Sequence, residues 1–221
     1  MLFLRKKFEG SPELARIAPF AVYALFTFWQ GEGDFRYWSY ILKTAIAVWM
    51  LWEVRSFVPE MRWKVSWEAI AVGIAIFVLW VGLEGYYPPL QEPGAGASPF
   101  EHFGSRVGLA WFYVAIHLIG MTFVVPPAEE IFYRSFLYRY FVKTDFRSMP
   151  FNQYHALSFF VTSIAFGLMH PDRWLPGIIC GLAYQWLVLR KNRLGDAMTA
   201  HAITNLLLGL WILWKQQWSF W

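Results

Sequence analysis

Charge is scarce in this chain. Of its 221 residues only 15% are Asp, Glu, Lys or Arg, while 57% are hydrophobic. Soluble domains carry about 25% charged residues, so the composition excludes an ordinary soluble domain and points to a bilayer. Cysteine is almost missing. Cys180 stands alone, which excludes an internal disulfide and a thiolate metal cluster. There is no HExxH zinc helix, no Gly-x-Ser-x-Gly elbow and no phosphate loop. An internal repeat and a low-complexity tract are also missing. No obvious small-x-small cleavage site follows the basic N-terminus, so the first apolar run reads as an uncleaved helix.

Aromatic residues are plentiful. The 14 Trp and 11 Tyr suit the headgroup region, where an apolar ring keeps a polar edge wet. A net charge of +4 raises the question of nucleic acid. The basic residues, however, fall between apolar runs, in Arg5-Lys6-Lys7, Arg62 with Lys64, and Arg190-Lys191-Asn192-Arg193. That placement reads as topology and lipid-headgroup contact, and no basic face is left to track phosphates. The expected partner is the lipid bilayer, not nucleic acid.

Apolar runs recur at residues 17–30, 38–52, 67–83, 107–125, 128–142, 156–169, 174–189 and 197–214. They predict an all-α protein, a polytopic transmembrane bundle of about seven or eight helices. Several runs fall short of the roughly 20 residues that cross a bilayer alone. Short, tilted helices around an intramembrane polar cavity are therefore expected. Residues 84–106 are the longest polar interruption, and Tyr86-Tyr87-Pro88-Pro89 and Glu92-Pro93-Gly94-Ala95-Gly96 predict an exposed loop there. The loop closes an N-terminal region of membrane helices, residues 1–106, and precedes a core, residues 107–221.

Basic residues favour the cytoplasmic side. Arg5-Lys6-Lys7 thus puts the N-terminus in the cytoplasm, with Glu32 and Asp34 outside, Arg55, Arg62 and Lys64 inside, and residues 84–101 outside. Arg139, Lys143 and Arg147 belong inside as well. That requires residues 107–142 to cross only once despite their length, and a break at Pro126-Pro127 into a crossing helix and a shallow or re-entrant one would allow it.

Three polar clusters interrupt the apolar core: Glu129-Glu130-Ile131-Phe132-Tyr133-Arg134, Phe166-Gly167-Leu168-Met169-His170 and His201-Ala202-Ile203-Thr204-Asn205. Ionisable groups are expensive in a membrane and persist mainly at pathways and reaction sites. On a helix Glu130 and Arg134 share a face as an i, i+4 pair. Glu129 is turned away by about one hundred degrees, freer to meet water or substrate. Separating two carboxylates in this way assigns distinct roles to them. The bland alternative is a helix start, with two glutamates near its positive end after Pro126-Pro127.

His170 precedes Pro171 and also reads as a helix-ending interfacial histidine. His201 and Asn205 share a face and can donate two hydrogen bonds to one oxyanion, or join helices by ordinary interhelical bonds. His117 has no polar partner at helical spacing and reads as a packing residue. Lys43 is expected to snorkel, Cys180 to be a small buried contact, and Gly177 with Gly181 to form a close helix-packing face.

In order and form the three clusters resemble the CAAX protease and bacteriocin-processing family of glutamic intramembrane proteases, whose pattern runs EExxxR, FxxxH and HxxxN. The resemblance covers residues 107–214 and leaves the leading helices undiagnosed. It implies an intramembrane endopeptidase that cuts near the membrane-anchored end of a protein or peptide substrate. It implies further that Glu129 with His170 activates a water and that His201 with Asn205 binds the oxyanion, Glu130 and Arg134 supporting them. No metal or other cofactor is expected, and no acyl-enzyme, because no serine or cysteine sits with these groups. The short Trp-rich chain is also similar to bacterial members associated with exosortase protein sorting. That implies a bacterial inner membrane and argues against a prenylated substrate.

Two other readings stay open. One is a non-catalytic membrane partner in protein sorting, export or bacteriocin immunity. The other is a zinc protease with Glu129, His170 and His201 as ligands at about 2.0–2.2 Å. Oligomeric state is not legible here. One difficulty is geometric: a helix over 174–189 rises about 24 Å at 1.5 Å per residue. Simple antiparallel spans would set His170 and His201 near opposite faces, unless the helices tilt around a cavity.

Overall fold

Long apolar stretches satisfy their backbone groups inside a membrane only as helices, and the chain does so almost throughout. The computed structural model describes residues 2–29, 33–94 and 96–221; Gln30 at the end of the first apolar run, Glu32 and Ala95 lie outside the described residues. Among the described residues there are nine helices and no strand, as the all-α reading predicts. They are α1 Leu2–Gly10, α2 Pro12–Phe28, α3 Gly33–Val54, α4 Trp67–Gly82, α5 Pro99–Phe103, α6 Val107–Val142, α7 Ala156–Leu168, α8 Trp174–Lys191 and α9 Gly195–Lys215. Ser11 caps α2, its Oγ accepting from Leu14 N–H at 3.1 Å, and Ser66 caps α4 likewise from Ala69 at 3.2 Å.

Small residues let the helices close up. A Cβ added to Gly181 on α8 would stand 2.8 Å from Ser163 Cα on α7, and one on Gly177 would stand 2.9 Å from Gly167 Cα. The expected Gly177/Gly181 packing face is therefore real, and α7 supplies its other half. Gly73 does the same between α4 and α9, where a Cβ would meet Ala200 O at 2.7 Å.

Three expectations need correction. Pro126-Pro127 does not break α6, which runs as one rod of 36 residues, about 54 Å at helical rise. The turn before the prolines, Gly120–Val124, is wound as a π-helix that ends with Val125 N–H on Gly120 O. A π-turn shifts the hydrogen-bond register locally and lets the helix continue past residues that lack an N–H. A second π segment, Ile131–Leu137, follows the glutamates. The loop at 84–106 is not simply exposed coil either. It holds α5, and Leu90 N–H donates to Pro171 O at 2.9 Å while Trp174 Nε1 donates to Pro88 O at 2.9 Å. Nor does Lys43 snorkel: it is only 2% exposed.

The bundle has two distinct ends. Loops 55–66, 143–155 and 192–195 share one, joined by Lys64 N–H to Gly195 O at 3.4 Å and Asn152 N–H to Asn192 Oδ1 at 3.1 Å. Glu60 is the hub of that end. It pairs with Arg16 at 2.7 Å and Arg139 at 3.4 Å and accepts from Ser135 Oγ. Loops 84–94, 169–173 and 216–221 share the other end, where Arg173 bonds Ser219 O at 3.3 Å and Glu84 at 3.2 Å.

Candidate active site

The polar clusters meet. One cavity of about 220 Å³ is lined by Glu129, His170, His201 and Asn205 together. His170 and His201 therefore border the same space. Phe166 lies between them, its ring 5.9 Å from His201 and 5.5 Å from His170. The helices alternate in direction, yet His170 and His201 border one cavity and do not sit at opposite faces.

The two glutamates live in different surroundings, as the helical geometry predicts. Glu130 is wholly buried. Its Oε2 stands 3.1 Å from Arg134 Nε, the i, i+4 pair, and its Oε1 accepts from His201 Nδ1 at 3.0 Å. Arg134 is held over the Phe166 ring at 4.4 Å and donates to Gly181 O at 3.4 Å. Glu129 is 9% exposed and its Oε2 makes no hydrogen bond. It faces His201 Nε2 at 3.9 Å, too long for a hydrogen bond but close enough for charge to be felt. Glu129 also lines a second cavity, of about 300 Å³, that adjoins the first.

Hydrogen bonds orient both histidines. A carboxylate only accepts, so His201 Nδ1 donates to Glu130 and its Nε2 is left for the Glu129 side. Tyr184 stacks beneath the same imidazole at 5.1 Å, and its hydroxyl donates to Thr204 Oγ1 at 2.7 Å. His170 Nδ1 donates to Phe166 O at 3.1 Å, while Trp80 stands edge-on to the ring at 5.4 Å. This leaves Nε2 of His170 as the nitrogen without a bond inside the protein.

Asn205 carries a commitment that its spacing did not reveal. Its Nδ2 donates to Met121 O at 2.7 Å. Val125 N–H has gone to Gly120 O, and the next residue, Pro126, has no N–H to offer. Asn205 therefore supplies the donor that the helix cannot. One N–H of its amide remains, and the side chain lines the cavity. Tyr184, Thr204, Trp80 and Met121 escaped the sequence reading because nothing in their local pattern marks them. His117 packs as expected, stacked on Tyr40 at 3.9 Å, but it does have a polar partner at helical spacing: its Nδ1 is bonded to the hydroxyl of Tyr113, one turn earlier, at 3.1 Å. Cys180 is buried, and it borders the first cavity. Among the described residues no three His, Cys, Asp or Glu side chains gather as a metal-binding group.

Residues 110–207, just under half of the chain, match the family model described as type II CAAX prenyl endopeptidase Rce1-like, so that segment is similar to the CAAX protease and bacteriocin-processing family. All six polar residues of the three motifs fall inside the match. Neither a curated protein nor a solved structure matches the chain. The match supports a CAAX-type intramembrane protease in general terms. Two helices, Val107–Val142 and Gly195–Lys215, are long and apolar enough to cross a bilayer. Together with the family they indicate an integral membrane protein.

Proposed function

We propose that this Rce1-like chain is a glutamic intramembrane endopeptidase whose core is residues 107–221 and whose base is Glu129. The observation that carries the reading is the buried Glu129 Oε2, without a hydrogen bond in the protein, on a cavity that His170, His201 and Asn205 also line. A water between Glu129 and His170 Nε2 would meet two acceptors and have its oxygen lone pairs free for attack. Glu129 takes a proton as that oxygen adds to the scissile carbonyl. Charge then develops on the carbonyl oxygen, where His201 Nε2, when protonated, and the remaining Asn205 N–H serve as donors.

Glu130 faces the other nitrogen of His201 and stabilises an imidazolium there, with Arg134 as its own counter-charge. Collapse of the adduct breaks the C–N bond, and Glu129 returns its proton to the departing amine. The products are a carboxylate and a free amine. The basic loops support an N-terminus on the cytoplasmic side of a bacterial inner membrane.

The test compares polypeptide termini in the membranes of a Glu129→Ala strain and its parent. Accumulation of one or a few untrimmed membrane-associated precursors is expected. Identical sets of termini, with the variant present at normal abundance, would sink the assignment.

A further inference from the structure

Val125, Glu129, His170 and Trp221 each border both cavities, so they form the partition between them. The first three are held by the helices. Val125 and Glu129 sit on α6, and His170 lies just beyond α7, its backbone N–H on Gly167 O at 2.9 Å. Trp221 comes from a different kind of element. Gln216, at φ 56°, ends α9 and reverses the chain, and Trp218–Phe220 then make one 3₁₀ turn. This short segment brings Ser219, Phe220 and Trp221 to the wall of the first cavity.

The segment is coherent within itself and lightly fixed to the rest. Its backbone bonds run inward, Phe220 N–H to Gln217 O at 3.3 Å and Trp221 N–H to Trp218 O at 3.0 Å. Toward the bundle it offers Ser219 O to Arg173 Nη1 at 3.3 Å, a long bond. Its other contacts there are made by rings. Phe220 lies 3.7 Å from the Arg173 guanidinium, Trp218 packs at 6.0 Å on Phe100, and Trp221 at 4.1 Å on His117. Gly96 passes so close to the Trp218 backbone that a Cβ there would collide with it. A segment with few backbone bonds to its surroundings is the kind that opens at low cost. A bond held at Glu129 has peptide on both sides of it, and at about 3.3 Å per extended residue that peptide needs the space of both cavities. It therefore has to cross the partition to which Trp221 belongs.

We propose that residues 216–221 are a hinged, autoinhibitory lid, with Trp221 as the gate between the two cavities, and that a peptide has to push Trp221 aside before its scissile bond reaches Glu129. That last step rests on the reading of Glu129 as the base. Of the partition, only Trp221 can move without disturbing α6 or the end of α7, because its own backbone bonds travel with it. Closed, the lid keeps the chamber divided and limits what reaches the base; lids of this kind commit an active site to a substrate that can displace them. A protein whose open form is a minor population binds with an affinity reduced by that fraction. The gate therefore acts on KM and leaves the chemical step alone.

The native thiol of Cys180 borders the first cavity and reports on the lid without any substrate. The full chain in nanodiscs of phosphatidylcholine is treated with methyl methanethiosulfonate, a small neutral thiol reagent, and modification is followed by intact-mass spectrometry. Thermal unfolding checks each variant. Trp221→Ala should be modified about tenfold faster than the parent. Trp214→Ala, an exposed position on α9 that borders neither cavity, should match the parent. Equal rates for Trp221→Ala and the parent overturn the proposal, and so does an equal acceleration by Trp214→Ala. If Trp221→Ala fails to fold, Gly96→Ala, which drives a methyl group into the Trp218 backbone, decides by the same criteria. Cutting is read separately, on the precursor that the Glu129→Ala comparison identifies. Trp221→Ala should lower KM about fivefold with kcat nearly unchanged; an unchanged KM or a lost kcat overturns the gate. Faster modification with no cutting by any variant sustains the lid and counts against the peptidase. Cutting with a thiol that does not respond to Trp221→Ala does the reverse.

Discussion

Glu129 and Glu130 are adjacent in sequence, yet one is buried against a cavity without a hydrogen bond on its Oε2 and the other is locked between Arg134 and His201. That split was legible beforehand, because helical geometry alone turns neighbours about one hundred degrees apart. The Glu130–His201 bond was not. It joins positions 71 apart, and periodicity tells which residues share a face but not which helix that face will meet. The consequence is testable. Glu129→Gln removes the base and keeps the shape, so hydrolysis should vanish with thermal unfolding unchanged. Glu130→Gln strips both Arg134 and a protonated His201 of their counter-charge. Breaking a buried pair in this way costs about 3–5 kcal/mol, and activity should fall as well, since the imidazolium loses its charged partner. Unfolding in detergent beside cutting of a trimmed precursor measures both. Equal stability in the two variants would contradict the division of roles.

Among the elements, α6 departs most from what its sequence suggests. Its apolar character and the requirement that it cross once were readable from Arg139, Lys143 and Arg147. Its continuity through Pro126-Pro127 was not, because the compensation lies in a π-turn and in an amide 84 positions away. Local propensity marks proline as a breaker for want of an N–H; it cannot see a donor arriving from another helix. The Gly177/Gly181 face, by contrast, was readable, since small residues at helical spacing have few other uses in a membrane. Asn205 now has two tasks, holding Met121 O and offering a donor to the cavity. Asn205→Ala leaves a half-buried carbonyl unpaired, at a cost of about 1 kcal/mol. It should also lower turnover of the folded protein about a hundredfold, as loss of a preorganised donor does, with binding of uncleaved substrate little changed. Asn205→Asp, which has acceptors where donors are needed, should not rescue either property. Kinetics in nanodiscs with parallel unfolding decide it. Near-normal turnover at reduced stability would leave Asn205 as a brace for α6 only.

At the scale of the whole molecule, the basic loop cluster and the cavities occupy opposite ends. Arg62, Lys64, Lys143, Arg147 and Arg193 belong to the loops around Glu60. Both cavities extend the other way: the first reaches Asp172 and Ser219, and the second reaches Arg36 and Ala97. Because basic loops stay cytoplasmic, the reaction chamber should open toward the outside, and its substrate should be a polypeptide end that has already been exported. The pattern of basic residues predicts an orientation for the leading membrane helices. It says little about the core on its own; that α6 is one unbroken helix is what lets it be read as one crossing, with α7, α8 and α9 then alternating in direction. The lone native thiol, Cys180, is buried, so single-cysteine variants can be read against little background. Glu92→Cys and Gln217→Cys should react with a membrane-impermeant maleimide in intact bacterial cells. Arg62→Cys and Asn192→Cys should react only after the membrane is permeabilised. The reverse pattern would turn the chamber toward the cytoplasm and make a newly synthesised cytoplasmic protein the substrate. Labelling of all four from outside would mean that the two ends do not lie on opposite faces at all.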